Sequence, residues 1–252
     1  MKRLILCFLA SALLLAGCAK QEVPPPAESL PVLTEAPTEV PTETPTEVPT
    51  ELPTVIPTQP PTEAPTEPPE DADLVRIRDF IPEIREDLAY ASENNFTGRK
   101  IYDFYNAYLR YGTVKKLSAA AAELARLGYG ILIWDGFRPV SAQAALWDVC
   151  PDPAYVSHPV TGTRAHCRGN AVDLTLFNLE TGEVLPMPTG FDDFSSLADR
   201  DYSDCSSETA ENARLLEDVM KAHGFKPYKA EWWHFTDTDS YPVDETFEPP
   251  VG

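Results

Sequence analysis

Residues 21 to about 70 constrain this chain most, because they cannot enter a packed core. Pro-Thr-Glu recurs there with a four-residue period, as in Pro41-Thr42-Glu43 and Pro45-Thr46-Glu47. Proline removes backbone donors and favours an extended polyproline-II path. The segment holds ten Glu, no Lys or Arg, and almost no aromatic content. Repelling charges with so little to bury give a disordered, semi-rigid stalk. At ~3.1 Å per residue, about fifty residues reach on the order of 150 Å. That length suits a domain held away from a membrane; a plain solubilising spacer is the simpler alternative. The threonines leave glycosylation open.

What precedes the stalk is a targeting segment. Met1-Lys2-Arg3 is a short basic start, and Leu4 to Ala16 is an apolar run too short to span a bilayer comfortably. It ends in Leu15-Ala16-Gly17-Cys18, which resembles a bacterial lipoprotein processing site. The resemblance implies cleavage before Cys18 and lipid on its sulfur, hence stable anchoring to the cell membrane on the extracytoplasmic side. The alternative is an ordinary secretory signal with Cys18 incidental. The chain thus divides into a signal (1–17), a linker (18–70) and one domain (71–252).

That domain carries thirty acidic residues against seventeen basic ones. An acidic surface argues against nucleic acid and against adhesion to anionic lipid. Its cysteines are Cys150, Cys167 and Cys205. Export permits a disulfide, and Cys150–Cys205 is the pairing left by elimination. Cys167 is either a spare thiolate near a metal or, more simply, structural. No CxxC pair exists, which disfavours a zinc ribbon.

Periodicity sketches the elements. Leu117 to Leu127 reads as a helix, with Ser118 as its cap and Gly128 as its end. Tyr129 to Trp134 is a buried strand, broken by Asp135-Gly136-Phe137-Arg138-Pro139. Ser141 starts a helix to about Val149. From Ala171 to Phe177, Val172, Leu174 and Leu176 share one strand face, with Asp173 and Thr175 on the other. Glu180-Thr181-Gly182-Glu183 is a hairpin turn signal. Glu208 to His223 is a helix closed by Gly224, and Ala230 to Thr236 reads as a strand. Irregular alternation with a hairpin favours an α+β fold with a mostly antiparallel sheet.

The chemistry concentrates in His166-Cys-Arg-Gly-Asn-Ala-Val-Asp173 and Glu231-Trp-Trp-His234. Two imidazoles and one carboxylate form the ligand set of a catalytic zinc, which keeps its fourth position for water. A second carboxylate three residues before the last His is placed to handle protons. His166 and Asp173 are seven apart, so Gly169 must turn the chain between a loop His and a strand Asp. Glu231 and His234 also have odd separation. A twist, a bulge or a turn of helix is required there, and the sequence does not choose. His158 and His223 lack ligand-like spacing, and His223 suits a helix C-terminus.

Four segments then occur in order: Tyr90-Ala-Ser-Glu-Asn-Asn95-Phe96-Thr-Gly98, Gly128 to Pro139, His166 to Leu176, and Glu231 to His234. Together they resemble the VanX-type D-alanyl-D-alanine dipeptidases, which share a fold with zinc D-Ala-D-Ala carboxypeptidases and the Hedgehog signalling domain. The resemblance spans nearly all of residues 75 to 240. It implies a zinc site in a cleft on a helix-flanked sheet. It implies one Zn²⁺ on His166, Asp173 and His234, Glu231 as catalytic base, and Arg138 against the developing oxyanion. Asp192 falls where the family holds the substrate ammonium, and Tyr90 lines the same pocket. For Arg138 the plain alternative is a salt bridge to Asp135; for Asp192 it is a solvated loop.

One position departs from the family. Ser usually stands two residues before the first His ligand, near the substrate carboxylate; here it is Arg164. Either Arg164 pairs with that carboxylate or substrate preference has shifted. The implied activity is hydrolysis of D-Ala-D-Ala in wall-peptide metabolism. The alternatives are a D,D-carboxypeptidase or endopeptidase on longer wall peptides and a non-catalytic, metal-stabilised wall-binding module.

Overall fold

A computed structural model describes residues 67–251. The signal, Cys18 and all but the end of the proline-rich stalk lie outside the described residues. The domain is built on a five-stranded sheet, in which four strands flank a long central one. In chain order the strands are β1 (Leu74–Arg76), β2 (Arg85–Glu86), β3 (Tyr108–Arg110), β4 (Tyr129–Asp135), β5 (Ala171–Asn178), β6 (Phe225–Pro227) and β7 (His234–Asp237). The helices are α1 (Tyr111–Arg126), α2 (Val140–Val149) and α3 (Ser207–Ala222). The main sheet has the order β2-β4-β5-β7-β6, and β1 pairs with β3 apart from it. Only β2–β4 is parallel in the main sheet; the other three pairs are antiparallel. This is the mixed α+β architecture, mostly antiparallel, that the element pattern predicts.

The central strand shows why. Val172, Leu174 and Leu176 are wholly buried and join Leu117 and Leu124 of α1 and Leu216 and Met220 of α3 in one core. The opposite face of β5 carries Asp173 and Thr175, which are also buried. Burial on both faces fixes the register, since a one-residue slip would drive both polar groups into the helical core. After β5 the chain turns as the Gly182 signal requires: Asn178 N–H donates to Glu183 O, and Phe177 bridges Val184.

Three expectations need correction. Helix α1 begins at Tyr111, so Ser118 lies inside it. Its start has no side-chain cap; the N–H groups of Tyr111 and Gly112 donate to the carbonyls of Asp73 and Asp71. Those remote acceptors satisfy the orphan donors of a first turn. The segment from Ala230 is not a strand until His234. Residues 228–233 form the loop of the β6–β7 hairpin, and Trp232 and Trp233 fill the core from it. Their aromatic content signals burial rather than strand. Finally, Cys150, Cys167 and Cys205 are all free thiols. Elimination chose the Cys150–Cys205 pair by counting, which says nothing of the close Cα spacing that a disulfide demands. Cys167 is wholly buried, and burial pushes its thiol up to about 11, as befits a structural residue.

Candidate metal centre

The sheet register assembles the site. On β5, Asp173 lies directly across from His234, the first residue of β7. On its other side it faces Asp135, the last residue of β4, after an irregularity between Ile133 and Asp135. His166 arrives from a short 3-10 turn, His166–Arg168, which ends at Gly169 with φ +72°. A side chain there would be strained, and its Cβ would lie 2.5 Å from Leu74 Cδ2. Gly169 therefore makes the turn that the odd spacing of His166 and Asp173 demands. The spacing of Glu231 and His234 is resolved by the hairpin loop. Glu231 sits in that loop, His234 begins the strand, and His234 N–H donates to Glu231 O at 3.4 Å.

Two imidazole nitrogens and the two oxygens of one carboxylate converge. His166 Nε2 is 3.3 Å from His234 Nδ1 and 3.3 Å from Asp173 Oδ2. His234 Nδ1 is 2.9 Å from Asp173 Oδ1. A tetrahedral ion with bonds of about 2.0–2.1 Å needs ligand atoms roughly 3.3 Å apart. His166 is held in the tautomer that ligation requires: its Nδ1–H donates to Gly136 O at 2.8 Å, which leaves the Nε2 lone pair facing inward. His234 Nε2 lies 3.1 Å from Thr236 Oγ1, which can accept its proton when Nδ1 serves as the ligand. Such outer partners orient metal-binding histidines generally. Burial opposes ionisation of Asp173, but the two facing imidazoles hold it well below the usual carboxylate range. The donor set and its spacing fit zinc, and among the described residues no other such group exists.

Glu231 stands beside these ligands, with its Oε2 3.8 Å from His234 Nδ1. Burial pushes its carboxyl above the ordinary range, against the pull of His234. Arg138 is buried and held on three sides. Its Nε and Nη2 donate to Asp135 Oδ2 at 3.1 and 2.6 Å, and its Nη1 donates to Gln143 Oε1 at 3.0 Å. The salt bridge to Asp135 is therefore real. It engages one edge of the guanidinium and leaves a donor on each terminal nitrogen. The bridge fixes Arg138 in place without consuming it.

A cavity of about 470 Å³ connects these groups with the remaining candidates. His166, Asp173, His234, Glu231, Arg138, Tyr90, Asp192 and Arg164 all line it. Asp192 adopts φ +57°, and its Oδ2 accepts a hydrogen bond from Tyr90 Oη at 2.8 Å. Burial pushes its carboxyl up to about 7; the Tyr90 hydrogen bond pulls the other way, and the negative Asp173 adds to the rise. It is not a plain solvated loop residue. Arg164 adopts φ +47° and reaches exposed Glu245 at 3.3 Å, while its buried Nε has no partner. His158 also borders the cavity, but its Nδ1 accepts the N–H groups of Val160 and Thr161, so it is spoken for.

Sequence reasoning missed the residue that organises this half of the site. Asp135 is wholly buried, anchors Arg138, and accepts from Tyr102 Oη at 2.8 Å. Its position at the break of a buried strand was the available signal. Gln143 ties Arg138 to the loop above the cavity through Ser157 O at 2.6 Å.

Comparison with known proteins matches residues 70–250 to the Peptidase_M15 family, described as D-Ala-D-Ala dipeptidase. The chain is 34% identical over 176 residues to a D-alanyl-D-alanine dipeptidase of Escherichia coli (strain K12), covering 69% of this chain and 90% of that one. It is 32% identical over 187 residues to the D-alanyl-D-alanine dipeptidase of Enterococcus faecium, covering 67% and 93%. It is 35% identical over 200 residues to that of Streptomyces coelicolor, covering 71% and 98%.

Proposed function

This chain belongs to the Peptidase_M15 family of D-Ala-D-Ala dipeptidases, and on that footing we propose that its cavity hydrolyses the D-Ala-D-Ala dipeptide with one zinc ion. The observation that carries the reading is the coexistence, in one cavity, of a zinc ligand set, a proton acceptor, and separate partners for the two charged ends of a dipeptide.

His166, Asp173 and His234 would hold the metal. Bound there, zinc would supply a polarised peptide carbonyl and a water that is nucleophilic near neutral pH. Glu231 accepts the proton of the attacking water and passes it to the leaving amine nitrogen. Its raised carboxyl suits that exchange. Arg138 presents its free terminal donors to the oxyanion that develops on the attacked carbonyl, an effect worth roughly 3–4 kcal/mol per donor in other hydrolases. Asp192, steadied by Tyr90, takes the substrate ammonium. The charge of Arg138 is matched by Asp135, so Arg164 is the cation left for the substrate carboxylate. Arg164 is tied only to one exposed glutamate and is readily exchanged. An Arg164→Ala variant with unchanged KM would remove it from this role.

The pH dependence follows from Asp192. With the cavity empty its carboxyl titrates at about 7, so it is charged above that pH and neutral below it. Ammonium binding needs the charge. Hence kcat/KM, which reports the free enzyme, should fall as pH drops through about 7. Asp192→Asn should abolish that limb and raise KM more than it lowers kcat. N-acetyl-D-Ala-D-Ala, which lacks the ammonium, should be cleaved poorly by the native enzyme and about equally poorly by the variant. Efficient cleavage of the acetylated dipeptide would overturn the reading.

Location is part of the same proposal. The basic start, the short apolar run and Cys18 support a lipid-anchored protein outside the cell membrane, in wall-peptide scavenging or remodelling. Activity should follow the membrane fraction and leave it in a Cys18→Ala variant. Activity confined to the cytoplasmic fraction would contradict it.

A further inference from the structure

We infer that Arg200 is a positioning residue for catalysis, a clamp on the loop that carries the base Glu231 and the ligand His234. The inference rests on the roles given to those two residues. The loop enters at Tyr228 and leaves at His234, and Tyr228 N–H donates to His234 O at 3.1 Å to close its mouth. Arg200 spans that mouth. Its Nε donates to Tyr228 O at 2.7 Å and its Nη2 donates to His234 O at 3.0 Å. Its own backbone N–H donates to Lys229 O at 3.1 Å, and two residues earlier Ala198 O accepts from Trp232 N–H at 2.9 Å. The guanidinium is nearly buried, stacked 4.6 Å over Phe235, and anchored to Glu217 of α3 at 3.0 Å.

These contacts have a specific mechanical consequence. Within the loop, Glu231 N–H donates to Tyr228 O at 3.3 Å and His234 N–H donates to Glu231 O at 3.4 Å, both long bonds. The loop therefore does not fix its own shape. A planar fork with donors on separate nitrogens holds two carbonyls at a set separation. A lysine ammonium, a single point of charge, cannot bridge both and still face Glu217. The clamp acts through backbone oxygens, so it sets where the Glu231 carboxylate and His234 Nδ1 point without touching substrate.

The test compares full-length Arg200→Lys and Glu217→Gln with the native protein. Arg200→Lys should lower kcat for D-Ala-D-Ala by roughly 10–100-fold with little change in KM, and should weaken zinc affinity, read by chelator competition without substrate, by a similar factor. Glu217→Gln breaks the ion pair but leaves the two carbonyl contacts, so kcat and zinc affinity should stay within about threefold even where melting temperature falls. For Arg200→Ala, millimolar guanidinium ion should restore part of the lost kcat and ammonium ion should not. The inference is overturned if Arg200→Lys keeps both values near native, if Glu217→Gln loses as much kcat as Arg200→Lys, or if guanidinium gives no rescue. Should the native protein not cleave D-Ala-D-Ala at all, the functional reading fails, while the zinc-affinity comparison still decides the clamp.

Discussion

Glu231→Gln should lower kcat for D-Ala-D-Ala by about 10²–10⁴-fold, the usual worth of a positioned general base, with KM and zinc content nearly native. The substitution is close to isosteric and keeps the loop, because the contacts that hold it run from Arg200 to the carbonyls of Tyr228 and His234 and not through the Glu231 side chain. It removes only the capacity to accept and return a proton. Each tenfold loss corresponds to about 1.4 kcal/mol of barrier, so the expected loss is on the order of 3–5 kcal/mol. A purely structural metal site needs no base. Metal analysis beside steady-state kinetics separates the cases. If the variant stays active, or loses zinc along with activity, the base assignment is wrong.

His234→Ala should cost more. Asp173 and His166 remain, but two ligands leave the ion incompletely held and the buried Asp173 short of one of its two facing imidazoles. Activity should fall by on the order of 10³-fold or more, since the metal contributes several kcal/mol of transition-state charge stabilisation. A second signal needs no substrate. Zinc at a hundredfold excess over its Kd stabilises the native fold by about 2.7 kcal/mol, which in a domain of this size is roughly a 5–10 °C rise in Tm. The native protein should show that rise. His234→Ala should lose nearly all of it at the same zinc concentration. An equal zinc-induced rise in the variant would place the ion elsewhere.

How much of this was written in the sequence depends on the range of the forces involved. The alternation from Ala171 to Phe177 is local and produced β5 with Asp173 on the face opposite Val172, Leu174 and Leu176. The seven-residue gap from His166 demanded a turn, and Gly169 supplies it at positive φ. The odd gap from Glu231 to His234 announced an irregularity without saying which. The answer lies in the β6–β7 hairpin and in Arg200, some thirty residues upstream, and no local pattern reports that contact. Helix α1 begins early for the same reason, because its first donors are met by carbonyls near Asp71. Asp135 was legible only as a rival for Arg138. The structure shows it to be the support of Arg138, since the rigid fork can be held along one edge and still present donors from its end. The departure at Arg164 was visible at once, but its single tie to Glu245, on a segment beyond the motifs, was not.

The most direct measurement gives zinc-loaded protein the free dipeptide D-Ala-D-Ala and, separately, a wall pentapeptide ending in D-Ala-D-Ala, and follows released alanine. On the proposed reading Asp192, which lines the cavity beside Tyr90, takes the substrate ammonium, and that role requires a free amine on the residue before the C-terminal one. Alanine should therefore appear from the dipeptide, two per molecule cleaved, and not from the pentapeptide. Release of D-Ala from the pentapeptide with the dipeptide left intact would contradict the dipeptidase reading.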